Sequence, residues 1–422
     1  MASGDPVGGR ADAESLDAAD PLAPFRDRFE IPDPDLLYFD GNSLGRPAKA
    51  TIARLQEAAR TWAAHLVEGW EEWIDLPARV GGLIGRELLG AAEGQTLLAD
   101  STTVNLYKCA AAALDRQRPR TVVLTDHANF PTDRYVLEGA ARAAGGEVRY
   151  LETDRVAGPT REGVAAALGP DVALVALSHV GYRNGAVADV EGITADAHAA
   201  GALVLWDLCH SAGAVPIELD RWGVDLAAGC TYKYLNAGPG APAFLYVRND
   251  LQAELSQPVW GWFGQRDQFE MGPRHDPVPG VGRFLSGTPN VLGAIAVESA
   301  VQVVAEAGIE PIRAKGMALT HLAVRLAEGW LAPLGFQLDS PADAERRGSH
   351  VSLRHPDARL ICRALRERAR VVPDFRAPDA IRVGLSPLYT RFADVWDGLD
   401  RLREMTETGI HRTLDAREPR VT

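Results

Sequence analysis

Lys233 lies in the stretch GCTYKYLNAGPGAPAFLYV, residues 229–247, among apolar, aromatic and glycine residues. That composition marks a buried turn between strands, where an ammonium group costs several kcal/mol unless it is paired, neutral or covalently bound. Upstream, LWDLCHSAGA sets Asp207 directly after the apolar run ALVLW, with His210 in the turn that follows. Asp207 therefore falls at the C-terminal end of an expected strand, the edge at which parallel α/β sheets bind ligands. Lys233 follows the next expected strand, VDLAAGC. Two plainer readings stand beside this one. Asp207 could cap the next helix beside a loop histidine, and Lys233 could snorkel to the surface.

A carboxylate at one strand end and a lysine after the next can serve a single cofactor, pyridoxal 5'-phosphate. Its aldehyde condenses with a lysine amine, and its pyridine nitrogen needs an acid partner to stay protonated and accept electrons. Covalent attachment would explain why Lys233 tolerates an apolar turn. In LLADSTTVNLYKCAAAAL a strand, a Ser/Thr turn and a helix follow one another, so Thr102 and Thr103 with the free amides of the helix start form a cradle for a phosphate. In TDHANFPTDRY, Phe130 can stack on a pyridine ring, while Asp133 reads as a cap of the following helix. The ten histidines show no H-x-x-x-H spacing and no cluster with carboxylates, so no metal site is expected.

These residues need a sheet to hold them. TLLAD, TVVLTD, EVRYLETD, VALVALSHV, ALVLWDL, VDLAAGC and PAFLYVR are mostly continuous apolar runs, as in strands buried on both faces. Alanine-rich helical segments such as VLEGAARAAG and EGITADAHAAG separate several of them. The alternation predicts an α/β fold, a large domain with a mostly parallel sheet flanked by helices. Residues 251–290 lose this rhythm and are rich in Gly, Pro, Trp and Phe, which marks a functional loop or an interface. Long helical periods and short strands (HVSLRH, VVPDF, AIRVGL) then predict a smaller α+β C-terminal domain. The expected division is a mobile tail over 1–22, an N-terminal segment over 23–60 that packs with the small domain, a large cofactor-binding domain over 61–298 and a small domain over 299–422.

The chain of 422 residues suits two domains. Its 44 basic and 57 acidic residues give a formal net charge of −13, which disfavours nucleic acid and anionic membranes as partners. No apolar run is long enough to span a membrane, and the N-terminus has no secretory h-region. Cys109, Cys209, Cys230 and Cys362 are scattered without metal or redox spacing, so a reducing cytoplasm is expected.

The segments YFDGNSLGRP, NFPTDRY, WDLCHSAGAVPIELD, GCTYKYLNAGPG, GWFGQRDQFEM, RGSHVSLRHP and VGLSPLYTRF, in this order over residues 25–410, resemble the kynureninase family. The resemblance implies the fold type I of pyridoxal-phosphate enzymes and a homodimer with shared active sites. It also implies hydrolytic Cβ–Cγ cleavage of L-kynurenine, with 3-hydroxykynurenine as an alternative substrate, to anthranilate and L-alanine. That is a hydrolase reaction on a carbon–carbon bond in a ketone, in tryptophan catabolism and NAD biosynthesis. By the same resemblance Lys233 is the Schiff-base lysine, Asp207 the partner of the pyridine nitrogen, and Tyr232 a phosphate-linked tyrosine that transfers a proton. His210, Thr102, Thr103, Ser178 and the turn Phe130, Pro131, Thr132, Asp133 match cofactor contacts. Trp262 and Thr288 match contacts from the partner chain. Arg382 matches the arginine that holds the substrate carboxylate, and Trp70 (with Trp73 as an alternative) matches an aromatic beside the substrate ring. Ser43 is a further candidate near the substrate. Gln265 stands where the family pattern often has histidine. The rival readings are another enzyme of this fold, a desulfurase, selenocysteine lyase or aminotransferase, and a cofactor-binding protein without catalysis.

Overall fold

The computed structural model describes residues 8–414. The expected mobile tail is corrected over its described part: α1 (Arg10–Ala18) is a helix. Its Asp17 carboxylate accepts the Phe392 and Ala393 amides at 2.6 and 3.0 Å, at the start of a helix far along the chain. Asp20 forms a buried ion pair with Lys315 at 2.6 Å. These contacts give the segment a partner that its own composition does not reveal; residues 1–7 lie outside the described residues. Strand β1 (Leu37–Tyr38) and the helices α2 (Lys49–His65), α3 (Trp70–Trp73) and α4 (Leu76–Leu88) follow.

Every strand expected for the large domain is present: β2 (Thr96–Ala99), β3 (Val122–Asp126), β4 (Val148–Leu151), β5 (Val172–Ser178), β6 (Leu203–Asp207), β7 (Leu226–Gly229) and β8 (Ala243–Val247). They form one sheet in the order β2-β8-β7-β6-β5-β3-β4. β8 is antiparallel to both its neighbours, and the remaining pairs are parallel. The helices α5 (Thr102–Arg116), α6 (Pro131–Ala143), α7 (Arg161–Ala167) and α8 (Val190–Ala199) are the crossovers. Val172–Ser178 is buried at every position, which explains its unbroken apolar run. From β3 the chain moves outward to β4, then returns to build β5, β6 and β7 on the other side. The C-terminal ends of β3 and β5 thus flank a reversal of strand order, the place where such sheets leave a crevice for ligands.

The chain returns through 251–290 to α9 (Val291–Ala307) and α10 (Ile309–Leu326). The junction expected at residue 298 falls inside α9, whose Val297, Ala300, Val301 and Val304 belong to the large-domain core. Gly308, with φ +78°, turns the chain between the two helices. Leu319, Val324 and Leu326 of α10 then enter the second core. A second sheet, all antiparallel, has the order β12-β13-β10-β9, with β9 (Gln337–Leu338), β10 (His350–Arg354), β12 (Asp374–Arg376) and β13 (Ala380–Gly384). The two-residue β11 (Val371–Val372) pairs in parallel with β1. The helices α11 (Ala358–Arg368) and α12 (Phe392–Glu407) cover this sheet. The N-terminal segment serves both cores: Leu37 and Phe39 enter the small one, Phe29, Ala48 and Ala58 the large one. Among the described residues no single helix is long and apolar enough to cross a membrane.

Candidate active site

Parallel pairing in register puts Ser178 of β5 beside Asp207 of β6, and Asp207 beside Ala228 of β7. Asp207 is buried, and its carboxylate accepts the Cys209 amide at 2.8 Å and faces the Ser178 hydroxyl at 3.2 Å. The Ser178 hydroxyl also lies 2.9 Å from Asn129 Oδ1, a contact that crosses the reversal of strand order. Asp133 is not the cap of α6; Phe130 occupies that position and Asp133 points inward. Its buried carboxyl neighbours that of Asp207, and burial, followed by the proximity of Asp207, raises it well above the usual carboxylate range. A protonated Asp133 can therefore donate a hydrogen bond to Asp207.

Three residues beyond the β7-terminal cysteine turn, Lys233 Nζ lies 2.9 Å from His210 Nε2. Burial, and then the Lys233 charge, lower His210 well below the ordinary histidine value. The imidazole is neutral and accepts the lysine proton, while its Nδ1 is buried without a partner. The Phe130 ring centroid is 5.9 Å from Lys233 Nζ, and the Tyr182 ring stands edge-on to Phe130 at 5.2 Å. Burial, followed by Cys230, raises the Tyr232 phenol, which keeps its proton. Asn236 closes the lysine turn in the left-handed region at φ +59°, which asparagine tolerates.

At the start of α5, Ser101 is the cap and accepts the Val104 amide. The amides of Thr102 and Thr103 precede any intrahelical acceptor and remain available to an anion. The Thr102 hydroxyl is 3.7 Å from Cys209 Sγ, which links this helix start to the Asp207 turn. The start of α5, Lys233, the Phe130 ring and the buried Asp133–Asp207 pair thus lie together at the strand ends. The set fits pyridoxal phosphate, whose pyridine nitrogen would meet Asp207 and whose phosphate would meet the α5 amides.

The small domain supplies a second cluster. Arg382 on β13 is fully buried and pairs across the strands with Asp374 of β12. Arg382 Nη2 also donates to Ser43 Oγ at 2.9 Å, and Nη1 donates to the Tyr182 carbonyl at 2.5 Å. With its amide oxygen turned toward the guanidinium, Asn42 accepts from Arg382 Nε at 2.7 Å. The GNSLG loop that bears Asn42 and Ser43 is latched to the lysine turn by Gly45, whose amide donates to the Tyr232 carbonyl at 2.8 Å.

Residues 312–402 match the model of the kynureninase C-terminal domain. A kynureninase of Pseudomonas fluorescens is 40% identical over 407 residues, which cover 94% of this chain and 95% of that protein. A kynureninase of Burkholderia pseudomallei is 39% identical over 410 residues, covering 96% and 97%. The chain belongs to the kynureninase family. Solved structures share the fold at lower identity. A C-DES variant with glycine covalently linked to its PLP cofactor superposes with a TM-score of 0.80 at 19% identity, covering 90% of this chain and 99% of that one. The cysteine desulfurase of Thermococcus onnurineus gives 0.78 at 16% identity, covering 88% and 95%.

Against this kynureninase frame, the remaining expected site residues gather elsewhere in the chain. Trp70 is half-buried and makes ring contacts with Trp73 and Phe263, 5.9 and 6.1 Å between centroids. Trp73 is buried beneath Gly69, so of the two tryptophans Trp70 is the more accessible. Trp262 is exposed and packs edge-on to Phe263 and Phe269, and Thr288 is exposed on the rim of a cavity near the start of α9. Pro131 and Thr132 open α6 behind Phe130. Gln265 stitches its own loop, accepting the Asp276 amide at 2.7 Å. Sequence reasoning missed Asn42, Asn129, Tyr182 and Asp374, which contact the expected site residues. Each is a polar or aromatic residue in a loop or short strand, and only its position next to a residue distant in sequence gives it meaning.

Proposed function

We propose that this chain cleaves L-kynurenine hydrolytically, with pyridoxal 5'-phosphate held at Lys233. The observation that carries the reading is the coincidence of two things in one crevice. A chain similar to kynureninases over nearly its whole length has a lysine, a neutral histidine and a buried pair of acids at its strand ends. When bound, pyridoxal phosphate supplies an electron sink for the charge released at the substrate's α-carbon.

The chain's own groups do the rest. Asp207, with the Asp133 carboxyl beside it, would hold the pyridine N–H. Lys233 Nζ, steered by His210, takes and returns the α-proton. Phe130 and Tyr182 would wall the ring and exclude water from one face. The Tyr232 phenol, protonated at rest, donates its proton to Cβ and recovers one from the water that adds to the aryl ketone. The Cβ–Cγ bond breaks, the oxygen of water stays on the former aryl ketone carbon as the anthranilate carboxylate, and Cβ becomes the alanine methyl. Arg382 and Ser43 meet the α-carboxylate, and Trp70 is the aromatic nearest to the role of ring contact.

A homodimer belongs to the same proposal. Val259, Trp260, Trp262, Phe269 and Met271 form an exposed apolar group on the loop that also carries the expected partner contacts. A cytoplasmic location is supported by four buried free cysteines, which suit a reducing compartment. The decisive experiment supplies purified protein and pyridoxal phosphate with kynurenine and, separately, 3-hydroxykynurenine. Release of alanine with equimolar aromatic amine supports the reading. Conversion of a keto acid without an aromatic amine would replace it with aminotransferase chemistry.

A further inference from the structure

Arg382 has little left to offer a ligand. Its Nε and Nη2 face Asn42, Nη2 also meets Ser43 and Asp374, and Nη1 meets the Tyr182 carbonyl. Five N–H donors against these acceptors leave one, on Nη1. A carboxylate is recognised best by two parallel donors. Arg376 lies on β12 two residues beyond Asp374, so both side chains face the same side of the sheet. Its Nη2 lies 2.8 Å from Asp374 Oδ2 and 3.4 Å from Ser43 Oγ. Its Nε is buried without a partner. Its guanidinium is 6.0 Å from the Tyr182 ring centroid, on the wall that continues to Phe130 and Lys233. About a quarter of the side chain is exposed, 24% against 1% for Arg382.

We propose that Arg376 is the second arm of the substrate-carboxylate site: Arg382 supplies one hydrogen bond from a fixed position, and Arg376 supplies the donors that remain free. Asp374 then acts as a positioning residue, holding both guanidiniums at one carboxylate oxygen until the substrate arrives. The proposal rests on the kynurenine-cleaving reading above. Its test compares wild type, R376Q and R376K as holoenzymes on kynurenine and on kynurenine α-carboxamide. A parallel titration reads L-alanine and L-alaninamide binding through the cofactor's absorbance. R376Q raises KM for the acid about 10–100-fold, the loss of one charge-assisted hydrogen bond. It leaves kcat within about threefold and the amide almost unaffected, and R376K falls between. Equal losses on acid and amide, or an unchanged KM for the acid, overturn the proposal. If R376Q does not fold, R376K decides, because a clamp role weakens the acid selectively and a structural role does not. If wild type cleaves no kynurenine, the functional reading fails, and the L-alanine titration still reports on Arg376.

Discussion

Gly45 joins the GNSLG loop to the lysine turn so closely that no other residue fits there. A Cβ on Gly45 would lie 2.8 Å from Asn236 Cα, and closer still to the Lys233 carbonyl oxygen and Asn236 Oδ1. Ordinary contact needs roughly 3.5 Å, so G45A must push the two loops apart by about 1 Å. Overpacking of this kind costs about 1–3 kcal/mol of stability. The displaced backbone is that of Lys233 itself, and the same loop carries Ser43. A misplacement of about 1 Å at reacting groups lowers rate by roughly 100-fold. The expected outcome is a folded variant with kcat/KM down about 100-fold at saturating cofactor, and unfolding in urea shifted by the stability loss. Steady-state kinetics on kynurenine and a urea titration read both. Activity within about twofold of wild type, with unchanged stability, would show that the latch does not position Lys233.

Ser178→Ala removes the hydroxyl between Asn129 and Asp207 and leaves a buried carboxylate oxygen with one partner fewer. A buried hydrogen bond to a charged group contributes about 1.5–3 kcal/mol, so cofactor affinity falls roughly 10–100-fold in a titration of the apoprotein; an unchanged affinity contradicts this role. Asp40 is raised to about 6, first by burial and then by Asp374. The folded protein therefore keeps a proton that the unfolded chain releases near pH 3.8, and the stability this confers is complete below that value and lost as pH rises through about 6. D40N should gain about 2–3 kcal/mol relative to wild type between pH 4 and pH 7 in urea unfolding. A difference that does not change with pH refutes the assignment.

The sheet was legible because its strands are buried on both faces, which leaves continuous apolar runs such as VALVALS that no surface segment shares. Asp207 and Lys233 were legible for the same reason: a charged residue at the end of such a run has few structural reasons to be there. Asp133 was misread as a cap because its position three residues into a proline-led helix start satisfies the local rule, while its real partner lies on another strand. The segment to Leu22 reads as a mobile tail by composition, yet Asp17 and Asp20 find partners on α12 and α10. The cluster around Arg382 was half visible. The resemblance pointed to the arginine and Ser43, but Asp374 and Arg376 gain their meaning from an antiparallel register that no local pattern encodes.

The central claim is that the cofactor is bound covalently at one lysine, and reductive trapping tests it directly. Holoenzyme treated with borohydride and digested should yield a pyridoxyl-phosphate adduct on the peptide that contains Lys233, and K233A should yield none while still folding. An adduct on another lysine, or a K233A protein that retains both the adduct and turnover, would contradict the account.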